Sequence, residues 1–218
     1  DGVLFAAKDR VCDQVLRDNY LQGRALTLEE RRGVQALDEH RYLIDELTAA
    51  GLLNRVVERI PGDAELLRLR ESRLGLTRPQ LAVLLAYSKI EAYVRVLGSG
   101  FGLDADMQPF LTDYFPPKVT GRFPEDVRSH PLRAEIASTA AVNAAINAMG
   151  STFFHSTARA AGAPFDAVLR AFLAAASLAR ATEFEQSMDG LYAGGTARME
   201  ALYGGHARFQ DALGRVVK

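Results

Sequence analysis

The sequence is poor in the residues that build cross-linked or self-contained reactive sites. It holds a single cysteine, Cys12, which excludes an intrachain disulfide framework and any multi-cysteine zinc or iron–sulfur site. It also lacks an excess of charge of either sign, because 26 Lys and Arg residues face 27 Asp and Glu residues, for a net charge of −1. Proteins that bind nucleic-acid phosphates normally carry a basic excess, so we expect no nucleic-acid partner.

Long hydrophobic runs are missing as well. The longest, such as residues 81–87 and 171–176, are far shorter than the roughly 20 residues that a membrane-spanning helix needs, so we expect no membrane partner. No basic-then-apolar signal segment opens the chain, and a lone cysteine fits a reducing compartment, so we expect a cytoplasmic location. The sequence begins with Asp1 and not with Met, and we expect it to be part of a longer polypeptide.

What the sequence does contain favours helices. Apolar residues make up 48% of the chain, which is a normal globular fraction. Ala, Leu, Arg and Glu are frequent, Ala above all between residues 134 and 181, and strict apolar–polar alternation is hard to find. The sequence therefore predicts an all-α fold, a multi-helix bundle of roughly eight to ten helices.

Prolines interrupt the middle of the chain and predict an irregular segment near residues 98–131. We expect residues 1–218 to form a single all-α domain. The proline-rich segment could also act as a hinge, in which case residues 1–97 and 131–218 would be subdomains joined by residues 98–130.

Two capping boxes predict where helices begin. In Thr27-Leu28-Glu29-Glu30 a carboxylate follows a hydroxyl three residues later, which predicts a helix that starts there and stops at Gly51. Thr77-Arg78-Pro79-Gln80 predicts a second helix, running to about Val96. Its stretch from Leu81 to Tyr87 is apolar nearly all round, so we expect this helix to be the central, buried one.

Glycine and proline positions divide the rest of the chain into further helices. Ser151 is the expected cap of one of them. They are predicted over residues 131–149, 151–161, 164–181, 183–192 and 196–217.

The polar residues in and before the 131–149 helix are the candidate site. Asn143 and Asn147 are four residues apart and share a helical face, whereas Arg133, near His130 at the helix start, is not on that face. These four residues could form a polar pocket or interface for an acidic ligand. The alternative is a hydrogen-bonded polar stripe that fixes the register of two Ala-rich helices.

No other constellation predicts chemistry. The remaining histidines, His40, His155 and His206, have no second His or Cys at metal-ligand spacing. The glycine run at residues 98–102 has the spacing GxGxG and follows a predicted helix, so we interpret it as a loop, not as a phosphate-binding turn. We therefore assign no catalytic, cofactor-binding or metal-binding residue in this chain.

Several stretches, taken together and in order, resemble a known family. They are Val15–Gln22, Gly75–Ile90, Tyr114–Pro116, and Ser129–Ile136 with Asn143 and Asn147. This order is similar to the C-terminal region of the large bacterial NAD-specific glutamate dehydrogenases over about residues 10–200. The 16-residue run at 75–90 is the most specific part. The glycine-rich run at 98–102 departs from the family, where a more acidic linker is expected.

The resemblance implies a parent enzyme that oxidatively deaminates L-glutamate to 2-oxoglutarate and ammonia while reducing NAD. It implies that the catalytic domains lie upstream and are absent here, so that no cofactor binds this chain, NAD serves the parent, and the fragment alone is inactive. The expected partners are those upstream domains and further copies in a homo-oligomer, and the expected role is structural, assembly or regulatory. The alternative is a freestanding helical protein- or ligand-binding module.

Overall fold

The computed structural model describes residues 2–179 and 195–217, and throughout these ranges the regular secondary structure is helical, without strands. This confirms the predicted all-α class. The predicted helix at 183–192 lies outside the described residues. The α-helices are α1 (Gly2–Arg32), α2 (Leu37–Ala49), α3 (Asp63–Glu71), α4 (Arg78–Gly98), α5 (Gln108–Tyr114), α6 (Pro117–Arg122), α7 (Pro124–Arg128), α8 (Arg133–Met149), α9 (Phe153–Ala161), α10 (Phe165–Leu178) and α11 (Gly195–Val217).

The capping box predicted at Thr27 is wrong, because α1 runs through this position without a break. The Thr27 hydroxyl donates to the carbonyl oxygen of Gly23 at 3.0 Å, as a hydroxyl inside a helix does. α1 ends only at Arg32, before Gly33, which has a φ of 51°. The physical reason lies in Glu30, the carboxylate three residues after Thr27, which pairs with Arg78 of α4 and does not turn back to cap the backbone.

The capping box at Thr77 is confirmed. The Thr77 backbone N–H donates to Gln80 Oε1 at 2.9 Å, and Pro79 occupies the first turn, where its missing N–H costs nothing. The predicted stop at Gly51 is confirmed too, since this residue follows α2 with a φ of 71°.

The helix α4 is the central helix, as predicted, because it packs against α1, α2, α8 and α10. It also divides the interior into two hydrophobic cores. Leu81 and Leu84 belong to the first core, which α2 and α3 complete, whereas Leu85, Ala92 and Val96 belong to the second. The second core is larger and is completed mainly by α8, α9 and α10.

The proline-rich segment between α4 and α8 consists of short helices and turns that cover the second core. Phe101, Met107, Leu111 and Val127 supply its buried side chains. The glycine run serves close packing, because a Cβ on Gly102 would lie only 2.6 Å from the carbonyl oxygen of Ala134 in α8. α8 itself begins two residues later than predicted.

A tight corner joins α9 to α10. Gly162, with a φ of 62°, ends α9, and Pro164 precedes α10, so that the two helices meet at 102°. Among the described residues, no single helix is long and apolar enough to cross a membrane. Only when α9 and α10 are taken together does this bent pair have the length and composition of a membrane span.

Truncating a buried side chain of α4 should destabilise the chain far more than truncating an exposed one. Leu84 has no exposed surface, so Leu84→Ala should lower the free energy of unfolding by about 2–5 kcal/mol. The matched control is Val94→Ala on the same helix, where 58% of the residue is exposed and the change should stay within about 0.5 kcal/mol. Urea unfolding followed by far-UV circular dichroism measures both, and equal losses would contradict the central position of Leu84.

Candidate functional site

A buried carboxylate ties three parts of the fold together. Glu29 in α1 is 4% exposed and accepts hydrogen bonds from the Ser151 backbone N–H at 2.5 Å and from the Ser151 hydroxyl at 2.8 Å. Its Oε2 also lies 3.2 Å from Nε2 of the buried His40 in α2. Ser151 was the predicted cap of α9. Its hydroxyl is used by Glu29 instead, and α9 begins without a side-chain cap.

A second buried carboxylate joins α4 to α9. Oε2 of Glu91 lies 2.6 Å from Nε2 of His155, and Arg95 donates to Oε1 of Glu91 at 2.5 Å. Phe165 of α10 closes the site, since its ring packs edge-on against the His155 imidazole and beneath the Arg95 guanidinium. His155 is therefore packed within the fold and hydrogen-bonded.

The protonation of Glu91 follows from these contacts. Burial alone would raise the pKa of Glu91, but the hydrogen bond with His155 and the charges of His155 and Arg95 outweigh it, so the pKa is lowered. The two Glu–His pairs resemble acid–base dyads in composition. Both carboxylates are buried and already hydrogen-bonded within the fold, which is what an interhelical tie requires.

The lysine Lys89 of α4 is a further perturbed group. Burial lowers its pKa to about 8, against the opposing attraction of Asp18 in α1. Its Nζ atom is buried without a hydrogen-bond partner. The charged form of this lysine is therefore less well solvated than that of a surface lysine.

The four predicted site residues fall into two groups at opposite ends of α8. His130 and Arg133 lie at its start, where His130 Nδ1 accepts the backbone N–H of Leu132 at 3.1 Å. Asn143 and Asn147 lie in its last two turns, and Arg133 and Asn147 are separated by about 21 Å of helix. The structure thus does not bring all four side chains together. Asn147 is buried, whereas Asn143 is only half-buried.

Asn147 borders a cavity of about 840 Å³, which we name the Asn147 cavity. It lies between α1, α8, α10, α11 and the turn that precedes α5. Its described lining is mainly apolar with a few polar and charged side chains; it comprises Arg17, Leu21, Arg24, Ala105, Asp106, Pro109, Phe110, Ala144, Asn147, Ala148, Arg170, Phe172, Leu173, Ala174, Ala176, Ser177, Phe209 and Leu213.

The arginines of this cavity were not among the predicted site residues. Arg17 and Arg24 come from α1 and Arg170 from α10, so they meet Asn147 only through the tertiary fold. A signal did exist for α1, because a helix that continues to Arg32 carries Arg17, Leu21 and Arg24 at helical spacing on one face. Among the described residues, no group of three or more His, Cys, Asp or Glu side chains is arranged to hold a metal ion.

The fold and the site define an all-α domain whose buried ionic groups connect helices and whose mainly apolar cavity lies between them. The family described as "Glutamate dehydrogenase, C-terminal" matches residues 73–199, and the chain belongs to this family. It is 33% identical over 167 residues to the NAD-specific glutamate dehydrogenase of Halomonas elongata, covering 77% of this chain and 10% of that protein.

Two further relatives have the same description. The chain is 36% identical over 153 residues to the NAD-specific glutamate dehydrogenase of Pseudomonas aeruginosa, covering 70% of this chain and 9% of that protein. It is 32% identical over 167 residues to the NAD-specific glutamate dehydrogenase of Mycobacterium tuberculosis, covering 76% of this chain and 10% of that protein. The chain therefore spans about a tenth of the length of these curated relatives.

The lowered pKa of Glu91 predicts that its interaction with His155 and Arg95 stabilises the fold less in acid. A carboxyl group whose pKa is lower in the folded state stabilises the fold above its ordinary pKa of 4.5, and this stabilisation is lost as the pH falls through the lowered value. Glu91→Gln should therefore lower the free energy of unfolding by about 1–3 kcal/mol at pH 7. Below pH 4 the difference in this free energy between the variant and the wild type should become smaller. Urea unfolding at both pH values measures it.

The matched control for this prediction is Glu71→Gln, at an exposed position near the end of α3. Its effect should be small at both pH values, because no buried partner is lost. If the difference in free energy of unfolding between Glu91→Gln and the wild type stays constant or widens in acid, Glu91 is not an ionised, stabilising partner of His155 and Arg95.

Proposed function

We propose that this chain is the helical accessory domain at the C-terminal end of an NAD-specific glutamate dehydrogenase. The parent polypeptide would oxidatively deaminate L-glutamate to 2-oxoglutarate and ammonia while reducing NAD, with its catalytic domains upstream. The name of the three relatives supports this activity. The chain itself would be inactive and would brace those upstream domains through a docking surface on α4.

The observation that carries the docking role is the outward face of α4. Ala82, Ala86, Ile90, Val94 and Gly98 are exposed at every fourth position, so they form one row along the helix. We name this row the α4 face. Ile90 is 50% exposed and Val94 is 58% exposed, and the row carries no charged or polar side chain over about 24 Å.

An apolar outer face is unusual on a central helix of a domain in water. Amphipathic helices normally place charged residues opposite their buried stripe, and extended exposed apolar patches commonly mark interaction surfaces. The turn after α2 adds to the apolar surface beside α4. Its Val56 and Val57 are exposed, and the adjacent Glu58 accepts a hydrogen bond from the Tyr87 hydroxyl of α4 at 2.8 Å.

The occupant that we propose for the α4 face is the rest of the same polypeptide. The chain spans about a tenth of its relatives' length, so a parent of that size carries most of its surface outside these residues. A covalently linked surface also has a high effective concentration, which favours docking by modest apolar contacts. The buried carboxylates Glu29 and Glu91 support a bracing role, since both are used in interhelical ties.

The test is the double variant Ile90→Glu with Val94→Glu in the parent polypeptide. Both side chains are exposed, so the 218-residue chain alone should fold normally with these changes. In the parent, two buried unpaired charges should reduce the native assembly about tenfold or more, measured by size-exclusion chromatography with light scattering. Glutamate-dependent NADH formation should fall in proportion. The control is Leu132→Glu, at an exposed apolar residue before α8, which should leave both unchanged.

Three outcomes would overturn parts of this proposal. A double variant that assembles and turns over like the wild type would refute docking through the α4 face. Self-association of the 218-residue chain that the double variant abolishes would make a second copy the occupant. A wild-type parent that forms no NADH from glutamate and NAD, or a 218-residue chain that does, would refute the assignment of the activity to upstream domains.

A further inference from the structure

We propose that the Asn147 cavity binds an uncharged molecule that combines an apolar body with an N–H or O–H donor. The inference concerns residues of this chain only and does not depend on the proposed function. The cavity volume of about 840 Å³ lies in the range of cavities that hold small organic molecules. Three features of the wall lead to this chemistry: an acceptor without a partner, charged groups that already have partners, and an apolar lining.

The first feature is the acceptor. Asn147 is only 4% exposed, and its Oδ1 atom is buried without a hydrogen-bond partner. Buried polar atoms in folded proteins are nearly always hydrogen-bonded, because an unpaired one has lost its hydration without compensation. The terminal torsion of an Asn side chain is soft, so the amide can turn its oxygen toward the cavity that it borders. An amide oxygen only accepts, so the ligand has to bring an N–H or O–H group.

The second feature is that the charged groups of the described wall are already engaged. Arg170 pairs with Asp104 at 2.7 Å and with Asp106 at 3.5 Å. Arg17 and Arg24 each have interactions of their own within the chain. A charged ligand would therefore compete with existing partners, and it would lose its hydration beside an apolar wall. An uncharged ligand avoids both costs.

The third feature selects the body of the ligand. The rest of the described wall is formed mainly by apolar side chains, chiefly Leu21, Phe110, Phe172, Leu173, Phe209 and Leu213. Burial of apolar surface against such a wall favours an aliphatic or aromatic body. Water can supply the hydrogen that Asn147 lacks, but it leaves this apolar surface hydrated. A donor attached to an apolar body matches both parts of the wall.

The test compares probes that share one apolar body. Indole carries an N–H group that only donates, whereas 1-methylindole has nearly the same body and no donor. Isothermal titration calorimetry on the 218-residue chain should show one saturable indole site. 1-Methylindole should bind at least about tenfold more weakly, because it cannot satisfy Oδ1 of Asn147. Indole-3-carboxylate keeps the donor and adds a charge, and it too should bind at least about tenfold more weakly than indole.

The variant Asn147→Leu removes the acceptor and leaves the apolar wall in place. It should weaken indole binding about tenfold, so that the preference for indole over 1-methylindole disappears. The affinity for 1-methylindole should stay the same, which shows that the variant retains the cavity. The matched control is Asn143→Leu on the same helix, at a residue outside the described lining, and it should keep the wild-type preference.

A second measurement keeps the test independent of variant folding. The chain has four asparagines, so selective ¹⁵N-Asn labelling of the wild type gives few side-chain amide signals. Indole should shift the Asn147 amide signal and leave that of Asn143 in place. The proposal is overturned if indole gives no saturable heat, if 1-methylindole or indole-3-carboxylate binds as tightly, if Asn147→Leu keeps the wild-type preference for indole, or if the Asn147 signal does not move.

Discussion

One helix has to serve two hydrophobic cores at once, and the rest of the structure depends on how α4 meets that constraint. Leu81 and Leu84 fill the first core and Leu85, Ala92 and Val96 the second, so most of the helix circumference is occupied by neighbouring helices. The remaining row, the α4 face, is also apolar. A helix shared by two cores has little need for a third apolar surface unless something covers it, and this is why we assign the docking role to α4.

The buried polar groups of the described residues are of two kinds: some have a hydrogen-bond partner within the fold, and others have none. Glu29 and Glu91 are hydrogen-bonded to residues of other helices, and they fix the relative positions of α1, α2, α4 and α9. The oxygen of Asn147 lacks such a partner. The hydrogen-bonded carboxylates hold helices together, which is a structural use of buried ionisable groups. The second kind marks a buried polar atom that the described part of the fold leaves unsatisfied.

Local features of the fold were predictable from the sequence, and features set by distant contacts were not. The capping box at Thr77 forms between residues three positions apart, so it can be recognised in the sequence. The similar pattern at Thr27 failed because its carboxylate, Glu30, pairs with Arg78, which is 48 residues away in the sequence. The helical spacing predicts that Asn143 and Asn147 share a face of α8, but of the two only Asn147 borders the cavity. The opposing Arg24 was invisible, since only packing of α1 beside α8 brings it to the same cavity.

The most direct measurement of the central claim is the chemical accessibility of the α4 face in the parent enzyme. Cys12 is the only cysteine of this chain, so Val94→Cys in a Cys12→Ser background places a single thiol on that face. Maleimide labelling at position 94, read by peptide mass spectrometry, should be fast in the 218-residue chain and at least about tenfold slower in the assembled parent. Equal labelling rates in the two would show that the α4 face remains open and would contradict the account.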